Sequence, residues 1–307
     1  MKFITNISIL VMILVSHQMM GQNKKYTTFS EALKAHDSVK WLDLDCSDIK
    51  HINTNASSLP HLESLYLTDC SIKKLPKGIS TIKTLGLLNI QGNNLKKLPK
   101  TLEELDRLTV INLRKNEFTK FPKVLTHLPN LREIDLSFNT KLDLNNAISS
   151  LSKIKKLDFL YLSGNTIVTL PHEIKNLTAL EELHLSKNPD LDLEQVFNTL
   201  SKVKPLKVLV LAHNNLTSFP ENIQRMTQLK GLVLDHNPNV NMDTLSKQIN
   251  LLSDLKVLLM RNNEFNQLPD NLDGFSKLAV LELSGNNFSE TEQTRIKSAL
   301  PNVNVVF

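Results

Sequence analysis

From Val39 to Phe288 the apolar residues fall into one pattern that recurs eleven times. One copy places Leu157, Leu160, Leu162 and Asn165 in order; the next places Leu180, Leu183, Leu185 and Asn188 at the same offsets. The middle of each copy alternates apolar and variable positions with a period of two. That alternation predicts a short strand whose leucines face a core and whose intervening side chains face out. One such strand cannot bury its apolar face alone, so the copies must stack. Because every copy runs the same way, the strands must be parallel.

The first apolar position of each copy falls at Val39, Leu62, Leu85, Leu108, Leu131, Leu157, Leu180, Leu206, Leu229, Leu255 and Leu278, at spacings of 23 or 26 residues. The two lengths predict two return paths. Copies of 23 residues carry an apolar-Pro turn, as at Leu98-Pro99, Phe121-Pro122, Leu170-Pro171, Phe219-Pro220 and Leu268-Pro269. Proline suits the first position of a short helix or 3-10 turn, where its missing N–H costs nothing. Copies of 26 residues lack that proline and repeat apolar residues at helical spacing, as in Ile148, Leu151 and Ile154, or Val196, Leu200 and Val203. Fuller helices are predicted there. An Asn closes nearly every strand motif, from Asn93 to Asn286, and a buried column of amides can satisfy the backbone of neighbouring turns. Ser47 and Cys70 interrupt the column at its start.

The copies, spanning residues 39–288, leave short ends. Residues 22–38 contain an amphipathic stretch from Ser30 to Asp37 that predicts a capping helix over the first strand. At the other end, residues 289–307 combine a capping box at Ser289 and Glu292, a helix to about Ala299, a stop at Pro301, and an edge strand through Val303, Val305 and Val306. Residues 1–21 begin with Met1-Lys2, continue with an apolar run from Ile7 to Val15, and end in Met19-Met20-Gly21. They read as a secretory signal peptide, with an uncleaved anchor as the other reading. The expected destination is therefore exported: secreted, periplasmic or at the cell surface, with no transmembrane span once the signal is removed.

The copies match the pattern L-x-x-L-x-L-x-x-N-x-L-x-x-L-P-x-x-I, most plainly from Leu180 to Asn188 and from Leu206 to Pro220, with Ile174 and Ile223 at the last position. The pattern resembles leucine-rich repeats of exported bacterial proteins, and also those of plant disease-resistance proteins and Ras-pathway scaffolds. The resemblance implies an α/β solenoid: a curved horseshoe with parallel strands on its concave face and short helices and 3-10 turns on its convex face. It further implies protein–protein interaction. It carries over no catalytic residue and no cofactor, and the bacterial ubiquitin ligases that share such repeats have a further domain not seen in this sequence.

Composition adds little to that picture. Hydrophobic residues make up 41% of the chain, enough for a core and too few for a polytopic membrane protein. A net charge of +5 is mild for a nucleic-acid binder, and none is expected. His172-Glu173 starts like a zinc-protease helix, but Asn176 stands where the second His is required. His213 and His236 share the eighth position of adjacent copies, and Asp43, Asp45 and Asp69 converge near the start; both groups read better as solvated rims than as metal sites. Cys46 and Cys70 sit at the eighth and ninth positions of adjacent copies, outward and inward respectively. They either pair, or Cys70 replaces the ladder Asn as a small buried residue.

Two surfaces are candidates for binding. The concave face offers Trp41, Tyr66, Arg114, Glu133, Asp135, Phe138, Phe159, Tyr161, Glu182, His184, Val210, Leu259 and Arg261. Eleven strands about 4.8 Å apart span roughly 50 Å, room for a standard interface, and aromatic and Arg side chains commonly anchor such interfaces. The run of Val and Leu from Val208 to Val280 is either an exposed apolar patch or simply strand-forming sequence. The second surface is a stripe of Lys73, Lys74, Lys96, Lys97 and Lys120, which suits an anionic glycan or envelope polymer.

Overall fold

A computed structural model describes residues 25–307. The expected signal peptide at 1–21 and the first residues of the 22–38 cap lie outside the described residues. Twelve parallel strands form one sheet in simple sequence order. They are β1 (Trp41–Asp43), β2 (Ser64–Tyr66), β3 (Leu87–Asn89), β4 (Val110–Asn112), β5 (Glu133–Asp135) and β6 (Phe159–Tyr161), then β7 (Glu182–His184), β8 (Val208–Val210), β9 (Gly231–Val233), β10 (Val257–Leu259), β11 (Val280–Glu282) and β12 (Asn304–Val306). The sheet is in register throughout: Leu42 pairs with Leu65, Leu65 with Leu88, and so on to Leu281 and Val305. Each central residue is buried, as the period-two pattern requires, and one continuous core runs from Tyr26 to Val305. The fold is a leucine-rich-repeat solenoid, with its strands on the concave side.

Both return paths are present. The 26-residue copies form α-helices at Leu144–Leu151, Leu193–Leu200 and Met242–Ile249, capped by Asp143, Asp192 and Asn241, whose side chains accept from the N–H three residues on. The 23-residue copies form 3-10 helices such as Lys100–Glu104, His172–Asn176 and Glu221–Arg225. Their prolines differ from expectation by one position. Pro99, Pro171 and Pro220 are N-caps with extended ψ, and each carbonyl accepts the first helical bond, at 3.1 Å in all three. A proline's fixed φ serves an N-cap as well as a first turn.

The ladder Asn residues make the inter-copy bonds anticipated. Asn188 accepts from the N–H groups of Asn165 and Ile167 at 3.0 Å each and donates to the carbonyls of Leu162, Leu185 and Ser186. The residue just before each ladder position, from Asp69 to Gly285, has positive φ, including Lys115, Phe138, Lys187, His213 and His236. Left-handed backbone in a non-glycine residue costs roughly 1–2 kcal/mol, so the turn is imposed by the ladder bonds around it.

The ends depart from expectation in detail. The N-terminal helix is shorter than Ser30–Asp37, running Phe29–Leu33 with Thr28 as cap, after which the chain closes successive turns onto Ala32 and Ala35. Tyr26 forms a bridge to Leu42 that extends the sheet beyond β1. At the other end Ser289 caps Glu290–Ala299 as expected, but Glu292 does not close the box. Its carboxylate accepts instead from the N–H of Leu268, at 2.9 Å, and from Arg295. Cys46 and Cys70 are joined in a disulfide, with Cα atoms 5.2 Å apart. Cys46 opens a 3-10 helix at Cys46–His51 instead of entering the left-handed turn found at this position in later copies, which allows it to meet Cys70.

Candidate binding face

Strand register decides which outward side chains are neighbours. Glu133, Phe159, Glu182 and Val208 form one row across β5–β8, and Asp135, Tyr161, His184 and Val210 form the next. Tyr161 and His184 stack at 4.1 Å, His184 Nε2 lies 2.5 Å from Glu182 Oε1, and the Tyr161 hydroxyl faces the Glu133 carboxyl. Glu133, Tyr161, His184 and Glu182 are thus linked in a chain crossing three strands.

That chain is deeply seated. Glu182 is 0% exposed, and its second carboxyl oxygen, Oε2, has no hydrogen-bond partner among the described residues. Burial raises the Glu133 carboxyl above its ordinary range. The Tyr161 hydroxyl works against that rise, while Asp135 and Glu182 add to it. Burial also raises Asp135, opposed by the hydroxyl and N–H of Ser137, the latter 2.8 Å from Oδ1, and by Arg114. Burial, with the surrounding carboxylates, pushes the Tyr161 hydroxyl far up as well.

Phe138 lies beside this cluster on the left-handed turn after β5, at φ 58°. The Arg114 guanidinium sits 4.1 Å from its ring centroid, and the ring packs over Gly164 in the next copy, where an added Cβ would fall 2.7 Å from it. Glycine is needed there both for its φ of 63° and for that close approach.

Arg114, Glu133, Asp135, Phe138, Phe159, Tyr161, Glu182 and His184 are therefore brought together by β4–β7. Trp41 and Tyr66 are not; they pair with each other at 5.5 Å on β1 and β2. Arg261 is occupied elsewhere, holding the Asp235 carboxylate through Nε at 2.9 Å and Nη2 at 2.6 Å. Glu182 and Val210 are buried, so neither offers open surface.

The valine run is not an exposed patch. Val208, Val210 and Val233 pack on one another with Leu259 as a separate small cluster, and the three valines and Val257 are at most 8% exposed. Branched side chains set side by side on adjacent strands shield each other. They form a shallow apolar floor beside the charged cluster.

Sequence reasoning overlooked a polar register on β3–β5. Asn89, Asn112 and Asp135 each turn a side-chain oxygen onto the N–H two residues later, those of Gln91, Arg114 and Ser137. The signal is visible in hindsight as Asn or Asp at the fifth position of consecutive copies. Lys73, Lys74, Lys96, Lys97 and Lys120 are all exposed, and only Lys96 has an acid partner among the described residues, Glu117 at 3.4 Å. His213 and His236 stack at 3.9 Å, and among the described residues no three His, Cys, Asp or Glu side chains are placed to hold a metal.

Comparison with known proteins agrees with the repeat fold. A family model described as "Leucine-rich repeat region" matches residues 22–163, and another described as "Leucine Rich Repeat" matches 156–177 and 205–226, together more than half of the chain. No curated protein matches the sequence. Among solved structures, an internalin of Listeria monocytogenes is similar at a TM-score of 0.57 and 22% identity, covering 90% of this chain and 82% of that one. A leucine-rich-repeat protein of Leptospira interrogans covers 92% of this chain and 100% of its own, at 22% identity and a TM-score of 0.43.

Proposed function

We propose that this chain, which belongs to the leucine-rich-repeat proteins, is an exported, non-enzymatic module that binds a protein partner on its concave face. The observation that carries the reading is the preorganised group on β4–β7. Its aromatic rings and charged side chains are fixed by one another before any partner arrives, which lowers the ordering cost of binding. Tyr161 locked on His184 and Glu133, and Phe138 locked between Arg114 and Gly164, have the residue types and rigidity of interface anchors.

Export is supported by two independent features: the apolar run near the start of the sequence, and the Cys46–Cys70 disulfide, which persists in oxidising compartments. Among the described residues no helix is long and apolar enough to cross a membrane.

The test is a photo-crosslinking residue at Phe159, which borders the cluster without belonging to its hydrogen-bonded chain, carried in the native cell with a second probe at Lys97. A discrete protein adduct from position 159 is expected. No adduct there, with polymer-like smears from position 97, would refute the reading and move binding to the lysine stripe. That second reading has its own support in Lys74, Lys97 and Lys120, which repeat at equal spacing, exposed and without an acid partner among the described residues. Binding through them would fall steeply between low and moderate salt, whereas concave binding to aromatic anchors would change little.

A further inference from the structure

The chain as a whole is basic, at +5, yet three acidic side chains gather on β5 and β7, either side of β6, at the middle of its concave face. Burial raises the Glu133 and Asp135 carboxyls, and Asp135 and Glu182 add to the rise at Glu133. The facing groups offset this only in part: Arg114, stacked on Phe138, opposes the rise at Asp135, and His184 opposes it at both Glu133 and Asp135.

Glu182 supplies the second observation. It is fully buried, yet Oε2 has no hydrogen-bond partner among the described residues. Its other oxygen is bound to His184, whose ring stacks on Tyr161, so the carboxyl lies inside the cluster. A buried carboxyl oxygen without a donor is costly, and the same carboxyl adds to the negative field at Glu133.

We infer that the centre of the concave face receives a cationic side chain of a protein partner, an arginine or lysine that contacts Glu133 and Asp135 above Glu182 with the rings of Phe159 and Tyr161 beside it. This deepens the protein-binding reading and rests on it. Acidic groups provide the attraction, and flanking rings add cation–π contact.

The probe is N-acetyl-arginine amide, compared with its neutral isostere N-acetyl-citrulline amide, titrated into isotopically labelled protein and followed by NMR. The arginine amide is expected to give saturable shifts at Glu133, Tyr161 and Glu182 in the millimolar range. Citrulline amide is expected to give none, and the arginine response is expected to vanish in Glu133→Gln/Asp135→Asn, a variant chosen to spare the buried Glu182–His184 pair. Equal shifts from both probes, no saturable shift from arginine, or an unchanged response in the double variant would each overturn the inference. A discrete adduct from position 159 in any of those cases would leave the protein-binding reading standing, so the two can fail separately.

Discussion

Gln195 grips Leu170 at both ends of one residue: its Oε1 accepts from the Leu170 N–H at 2.9 Å and its Nε2 donates to the Leu170 carbonyl at 2.7 Å. Leu170 precedes Pro171, in the turn where the chain leaves its strand for the return path. The clamped positions recur every 49 residues, the others through one such bond each: Asn146 accepts from the Phe121 N–H, Gln248 donates to the Phe219 carbonyl, and Glu292 accepts from the Leu268 N–H. Each long helix thus clamps the turn of the copy before it, joining thin and thick copies in pairs.

Gln195→Ala is therefore expected to destabilise the protein by about 1–3 kcal/mol, the cost of leaving partly buried backbone groups without partners. Chemical denaturation would measure it. A change no larger than that of an exposed control such as Lys202→Ala would show that the clamp contributes nothing.

This clamp also marks where the sequence was readable. The leucine period alone announced parallel strands, their register and the two kinds of return path, because burial of Leu160 or Leu183 depends on local alternation. The Asn ladder was equally legible, since Asn188 recurs at a fixed offset and can be satisfied only by its neighbours. What could not be read depends on contacts between copies rather than within them. Glu292 follows Ser289 at capping-box spacing, yet Leu268 from the previous copy competes for its carboxylate and wins. The valines of β8–β10 look exposed one strand at a time and are buried only by each other. The acidic cluster needed the pairing of Glu133 with Phe159 and of Phe159 with Glu182, a relation that the 26-residue spacing conceals.

The Cys46–Cys70 disulfide closes a segment of 24 residues at the end where Ser47 and Cys70 replace the ladder Asn. It substitutes a covalent link for the missing amide bonds. Cys46→Ser/Cys70→Ser, or reduction, is expected to cost about 3 kcal/mol by the loop-entropy relation. Because a solenoid's stability is close to a sum over neighbouring copies, the loss should be local. Hydrogen exchange should accelerate across β1 and β2 while β6–β9 stay protected; uniform acceleration along the whole sheet would argue against a local staple.

Glu133 offers a test of whether the concave centre is tuned for binding at the expense of stability. Its carboxyl is raised in the folded protein, chiefly by burial, with Asp135 and Glu182 adding to the effect and the Tyr161 hydroxyl and His184 opposing it; Arg114 acts on the neighbouring Asp135. A raised carboxyl binds its proton more tightly folded than unfolded. Its favourable contribution is therefore fully present below the unfolded value and is lost as pH rises through the folded one. At neutral pH the ionised Glu133 is a net burden on the fold. Glu133→Gln keeps the shape, removes the charge, and leaves the Tyr161 hydroxyl an oxygen to donate to. The variant is expected to melt higher than the parent at neutral pH, with the advantage shrinking as pH falls through the raised folded value and lost by the ordinary carboxylate range. It is also expected to lose affinity for a cationic partner group. A lower melting temperature at neutral pH would mean that Glu133 is there to hold Tyr161 in place. A higher one, paired with weaker binding, would mark the carboxyl as a group kept for its ligand.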